Sequence, residues 1–270
     1  MPNSTTATYK FGDSTAAAER LRILAEVFEP SSRELLESLT GHDLRVIADL
    51  GCGPGYTTRL LAQVFPRARV RGIDSSEAFI SLASQSPIPQ VDYLVGDVTQ
   101  SLVGGPFDLV YCRYLVTHLP DARQVIERWA HDLSERGLIV IEENEWIHTA
   151  QPAFARYLEI VEAMLAASGQ RLYVGAELAN AAPWPNLRVV LSEVVPIAAA
   201  EGACAAMFSL NIATWKSQPY IVEHFASAEI AELQRNLARL AQVDNSDRSI
   251  TFGRRRLMLE RAKLCNTTGN

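Results

Sequence analysis

Between residues 46 and 141, short apolar runs alternate with stretches whose apolar positions recur at helical spacing. Short runs bounded by turn residues read as buried strands, and the recurring stretches read as helices with one inward face. The runs fall at residues 46–50, 70–74, 91–95, 107–112 and 137–141. Between them, Leu60, Leu61, Val64 and Phe65 share one helical face after Tyr56. A short helix over 76–83 is broken by Pro87 and Pro89, and Asp121 caps a helix bearing Val125, Ile126, Trp129, Ala130 and Leu133. Strand and helix in alternation predict an α/β fold around a mostly parallel sheet, with helices on both faces.

The flanks break this rhythm. Ahead of it, Asp13 caps a helix with Leu21, Leu24, Ala25 and Phe28 inward. Pro30 interrupts that helix, and Ser31 with Glu34 forms a capping box for a second one ending near Gly41. From Pro152 the alternation stops. Phe154, Tyr157, Leu158, Val161 and Leu165 make a helical face, 176–182 is a short helix, and 187–195 is a sixth strand. Residues 207–215 and 227–241 are helical, and Ile250–Phe252 with Leu257–Leu259 closes the chain as a last strand or hairpin-like element. Inserts at about 146–186 and 197–217 are rich in alanine and large apolar residues, which suits the wall of a pocket for a small organic molecule. Trp146, Tyr173, Phe208 and Trp215 are either core or contacts in such a pocket.

Composition narrows the classes. The chain has 270 residues, net charge −6, 48% hydrophobic and 21% charged residues, as an ordinary globular protein does. An acidic balance argues against a nucleic-acid partner. No apolar run approaches the roughly 20 residues of a membrane span, and the polar start carries no signal peptide. Cys52, Cys112, Cys204 and Cys265 are widely spaced, without metal-ligand spacing, so no metal is expected and the chain reads as cytoplasmic with reduced thiols. Whether it forms a homo-oligomer stays open.

The chemistry concentrates at the strand ends. Gly51, Gly53 and Gly55 form a tight turn between the first strand and a helix start, a nucleotide-binding arrangement. The spacing Gly-x-Gly-x-Gly departs from the Gly-x-Gly-x-x-Gly of dinucleotide sites, and Asp49 precedes it, which suits a ligand with ammonium or sulfonium charge. Asp74 ends the second strand about 20 residues later, where a carboxylate accepts ribose hydroxyls. Gly96-Asp97-Val98 leaves the third strand, and Arg113-Tyr114-Leu115-Val116-Thr117-His118 follows the fourth. His118 is the candidate general base, with an unperturbed pKa near 6.5; the other reading has it bracing the next helix. Glu142-Glu143-Asn144-Glu145 either polarises an amine or forms a solvated loop, and Arg254-Arg255-Arg256 reads as a solvated strand edge or turn.

In combination these motifs, over about residues 45–142, resemble the class I S-adenosylmethionine (SAM)-dependent methyltransferases of the small-molecule type. The resemblance implies a Rossmann-like methyltransferase fold with a seven-stranded sheet, the last strand antiparallel beside the fifth, and added lid helices. It implies an N-terminal helical cap over 1–42 and a core over 43–270. It implies methyl transfer from SAM to an O, N or C nucleophile of a metabolite, releasing S-adenosylhomocysteine, in a biosynthetic, natural-product setting. By the same resemblance Asp49 arranges the ammonium end, Asp74 with Ser75 takes the ribose, and Asp97 and Val98 take the adenine. Arg113 lies at the methionine part, Arg20 meets the cofactor carboxylate, and Tyr9 reaches the active site beside His118. Two rivals share the fold: a cyclase or decarboxylase that keeps SAM without methylating, and a SAM-binding regulatory protein. An NAD enzyme is disfavoured by the glycine spacing.

Overall fold

The computed structural model describes residues 12–242 and 248–262. The first five strands are β1 (Val46–Leu50), β2 (Arg69–Asp74), β3 (Val91–Val95), β4 (Phe107–Arg113) and β5 (Leu133–Thr149). With β6 (Leu187–Ala199) and β7 (Ile250–Arg261) they form one sheet in the order β3-β2-β1-β4-β5-β7-β6. Strands β1 to β5 are parallel, and β7 runs antiparallel between β5 and β6. The order reverses between β1 and β4, so a crevice opens at their carboxyl ends.

Alternation along the central strands gives the sheet two apolar faces. Ile47, Leu109, Tyr111, Leu138 and Val140 point to one face, beneath α2 (Tyr56–Val64) and the end of α1 (Thr15–Glu37). Ala48, Leu50, Val110, Cys112, Ile139 and Ile141 point to the other, beneath α4 (Ala122–Trp129) and α6 (Gly175–Asn180). A short helix, α3 (Glu77–Ser84), follows β2 and is capped by Ser76, whose hydroxyl accepts from the Phe79 amide. A third apolar core belongs to the lid. It gathers α5 (Pro152–Ala166), α7 (Glu201–Trp215), α8 (Pro219–His224) and α9 (Ser227–Leu240) around Phe154, Phe208, Ile212 and Trp215. No described helix is long and apolar enough to cross a membrane.

Several expectations are corrected. Pro30 does not end a helix: α1 runs through it from a cap at Ser14, not Asp13. A proline there forfeits one helical hydrogen bond, and tertiary contacts hold the next turn in place. Ser32 donates to Glu142 at 2.6 Å, while the Ser31 carbonyl and hydroxyl accept from Arg256, so Ser31 caps nothing. Asp121 stands at the start of α4 but its side chain makes no cap bond. Strand β5 continues to Thr149, so the acidic run lies within a strand and the first insert holds α5 and α6. Strand β6 extends to Ala199, past the expected start of the second insert.

The largest correction concerns charge. In the β5–β7 register Glu142 faces Arg256, Glu143 faces Arg255 and Asn144 faces Arg254, so acidic and basic runs are cross-strand neighbours. Glu142, Glu143 and Arg254 are fully buried, and Arg255 and Arg256 nearly so. Arg254 donates to Glu142 at 3.0 Å and lies 4.3 Å over the Phe28 ring; Arg255 grips both oxygens of Glu145. Neither run is solvated.

Candidate active site

The glycine turn is tied to the sheet by its backbone: the Gly51 and Cys52 amides both donate to the Ile73 carbonyl. Gly55 has φ +83°, and a Cβ there would come within 2.5 Å of the Tyr93 hydroxyl, so the position requires glycine on both counts. Asp74 closes the turn from the next strand, accepting from the Gly53 amide at 2.8 Å and the Ser76 amide at 2.9 Å. Burial raises the Asp74 carboxyl while those two amides work against the rise.

Asp49 lies one layer deeper. One of its oxygens accepts the hydroxyls of Thr57 and Thr58, each at 2.6 Å, pinning the first turn of α2 to the end of β1. Burial pushes its pKa up to about 6 against those two bonds and the nearby Arg113 charge. Asp97 binds the amide and hydroxyl of Thr99 within its own loop, and the Val98 carbonyl accepts from the Trp129 indole at 2.7 Å. Arg113, at the end of β4, donates to Ser32.

These elements border one cavity of about 860 Å³, near the upper end of the roughly 300–1,000 Å³ of small-molecule sites. Of the residues proposed from sequence, Gly51, Gly53, Asp74, Ser75, Asp97, Val98, Arg113, Arg20 and His118 line it. Asp49 and Gly55 stand behind the lining, and Tyr9 lies outside the described residues. Beyond His118 the cavity continues between β5, α5, α7 and β7, reaching Asn144, Tyr157, Asn211 and Phe252.

His118 sits in a short 3-10 turn, Val116–His118, that also lines the cavity. Burial pushes its pKa down to about 3, with the Arg20 charge adding to the effect. The expectation of an unperturbed imidazole is therefore wrong: His118 is neutral at any physiological pH and a weak proton acceptor. Of the four aromatics singled out, only Phe208 lines the cavity. Trp215 is fully buried in the lid, Trp146 stacks on His148, and Tyr173 lies away from the lining.

Sequence reasoning passed over the other members. Tyr114 takes a left-handed backbone at φ +57°, an uncommon conformation that concentrates at functional sites. Its ring meets Phe28 edge-on at 5.3 Å and its hydroxyl accepts from Arg254. Asn144, Gln170 and Asn211 carry no motif, and only the folded chain brings them to one cavity.

Residues 47–137 match a family model described as a methyltransferase domain. That segment, about a third of the chain, is similar to the methyltransferase domain of the class I SAM-dependent methyltransferases. Trans-aconitate 2-methyltransferase from Azoarcus sp. (strain BH72) is 33% identical over 112 residues, which cover 42% of this chain and 44% of that enzyme. The chain thus matches under half the length of that relative. A methyltransferase structure from Haemonchus contortus, in complex with phosphomonomethylethanolamine and S-adenosylhomocysteine, covers 93% of this chain and 59% of its own. Its TM-score is 0.56 at 16% identity. The cyclase SpnF covers 94% of this chain and 85% of its own, with TM-score 0.50 at 15% identity. At such identities the two structures establish the shared methyltransferase fold and no more.

The residues present fit the family's cofactor. The Asp74 carboxylate accepts the Gly53 and Ser76 amides and lines the cavity, with acceptor capacity left for a ribose hydroxyl. The glycine turn leaves its backbone open to the cavity, and Asp97 and Val98 stand one strand further along the same edge. The family match ends at residue 137, before every wall contributed by β7 and the lid helices.

Proposed function

We propose that this protein is a methyltransferase that moves the methyl group of SAM to an O, N or C nucleophile of a small molecule. The observation that supports it most is the unbroken cavity from the carboxyl ends of β1, β2 and β3 to the lid, which leaves room for a second molecule beside a cofactor. SAM supplies an electrophilic methyl on a sulfonium. In this reading Gly51 and Gly53 give the methionine part room, Asp74 with Ser75 holds the ribose, and Asp97 with the Val98 amide holds the adenine. Arg20 and Arg113 meet the cofactor carboxylate. Asp49 and Gly55 act from behind, fixing the turn and the start of α2.

The protein's contribution is orientation and water exclusion, and holding two reactants in line supplies on the order of 7–11 kcal/mol of barrier reduction. A neutral His118 places a hydrogen bond at the junction of the two cavity halves and is a positioning residue rather than a strong base. The trans-aconitate named for the relatives is not carried over, because the family match ends at residue 137, before the walls of β7 and the lid helices. We take the protein to be cytoplasmic, with Cys52, Cys112 and Cys204 as buried thiols.

Calorimetric titration with SAM, S-adenosylhomocysteine and NAD tests the reading. Micromolar binding of the two sulfur ligands, weakened by about 1–3 kcal/mol in Asp74→Ala, is expected. Binding of NAD alone would overturn it, and SAM binding without methyl transfer to any acceptor would favour a non-methylating enzyme on this fold.

A further inference from the structure

We infer that the acceptor is an uncharged, ring-bearing molecule that presents a hydroxyl or N–H donor to amide oxygens on the lid side of the cavity. The inference rests on the methyltransferase reading and adds the substrate class.

Charge is divided unevenly around the cavity. Among the described residues, the aspartates and arginines that line it are Asp13, Arg20, Asp74, Asp97 and Arg113, just before or on α1 or at the ends of the strands and the loops after them. The walls from β5, α5, α7 and β7 contribute no Asp, Glu, Lys or Arg to the lining. Arg254, a cation on β7, is fully buried and bonded to Glu142, Ser32 and the Tyr114 hydroxyl. A carboxylate or phosphate seated there would be desolvated with no counter-ion from those walls, which is strongly unfavourable.

Aromatic rings from α1, the loop after β4, α5, α7 and β7 stand among the aliphatic side chains on this side of the cavity. Phe28 packs edge-on against Tyr114 and Phe252, with ring centroids 5.3 and 5.0 Å away, and Tyr157 stacks on Phe208 at 4.0 Å. Two fixed groups of aromatic rings bordering one cavity favour a flat ring as its ligand.

Against this apolar ground stand three amides. Among the described residues, the buried side-chain oxygens of Asn144, Gln170 and Asn211 have no hydrogen-bond partner. Gln170 and Asn211 are more than nine-tenths buried, at 8% and 6% exposure. The Gln170 orientation is set chemically: its amide nitrogen donates to the His118 carbonyl at 3.3 Å, an oxygen that only accepts, so its own oxygen is the group left over. Asn211 gives its nitrogen to the Tyr157 hydroxyl at 2.6 Å. Buried acceptors without donors are costly, and all three border the cavity. A ligand hydroxyl or N–H relieves that cost; a methyl ether or a carboxylate does not. Sites built on such acceptors discriminate strongly against an analogue that lacks the donor.

The test uses three probes of one shape: 2-naphthol, 2-methoxynaphthalene and 2-naphthoate, titrated calorimetrically with and without S-adenosylhomocysteine. The expected result is 2-naphthol binding at least tenfold more tightly than either other probe. Asn211→Leu and Gln170→Met, made separately, should each narrow that preference to under threefold while S-adenosylhomocysteine affinity stays within twofold, which also certifies that the variants fold. Tighter binding of 2-naphthoate, equal binding of all three, or binding of none would overturn the inference. Failure of S-adenosylhomocysteine to bind would sink the methyltransferase reading instead, and the titrations without it would still decide the donor preference.

Discussion

The strand-end wall of the cavity is made of backbone and carboxylates, whereas the lid wall is made of rings and amides resting on a buried ion pair. At the strand ends the bracing contacts are short in sequence: Asp49 reaches Thr57 and Thr58, and Asp74 reaches back to Gly53 and forward to Ser76. On the lid side they are long: Ser32 meets Glu142, and Arg254 meets both across more than a hundred residues. The strand-end wall is thus fixed by local turns, and the lid wall only by the finished fold. A shared family motif in the first and none in the second is what this difference predicts.

The two buried glutamates sharpen the contrast, because adjacent positions on β5 point to opposite faces. Burial would raise Glu142, but Arg254 and the hydroxyls of Ser32 and Tyr111 hold it below the usual carboxylate range. Glu143 makes no ion pair among the described residues: burial pushes it up to about 8 although the backbone amides of Val116, Thr117 and Leu115 and the Arg254 charge pull the other way.

The largest effect should come from Arg254→Met, which strands the Glu142 charge. Urea unfolding should show a loss of about 3–5 kcal/mol, most of it recovered by adding Glu142→Gln. A loss below 1 kcal/mol would break the claim that the lid wall rests on this pair. Next comes pH. Glu143 stays protonated in the fold while the unfolded carboxyl ionises, so its contribution to stability is present below about pH 4.5 and is lost as pH rises through about 8. At about 1.4 kcal/mol per unit of pKa the change is a few kcal/mol, and melting curves of Glu143→Gln should lack it. Smallest is Gly55→Ala, expected to cost about 1–2 kcal/mol for the left-handed backbone, with the Tyr93 ring displaced. A neutral outcome in thermal unfolding would show that the turn tolerates more than its φ of +83° suggests.

Legibility follows the same division. Strands β1 to β4 and the helices between them were readable because apolar runs, glycines and caps act on their neighbours in sequence. Pro30 misled because Glu142 and Arg256 hold the helix from outside it, through Ser32 and Ser31. The acidic run on β5 and the basic run on β7 looked solvated because each lacks its partner until antiparallel pairing brings them together. His118 carries no sequence sign of its low pKa, which arises from burial between α1, the loop after β4 and the lid. Nor do Asn144, Gln170 and Asn211, whose role depends on a shared cavity.

One double titration tests the division of labour most directly. S-adenosylhomocysteine and 2-naphthol are titrated in turn into the wild type, Asp74→Ala and Asn211→Leu. The account predicts a crossed result: Asp74→Ala weakens S-adenosylhomocysteine by about 1–3 kcal/mol and leaves 2-naphthol within twofold, and Asn211→Leu does the reverse. Both ligands weakened alike by either variant would contradict it.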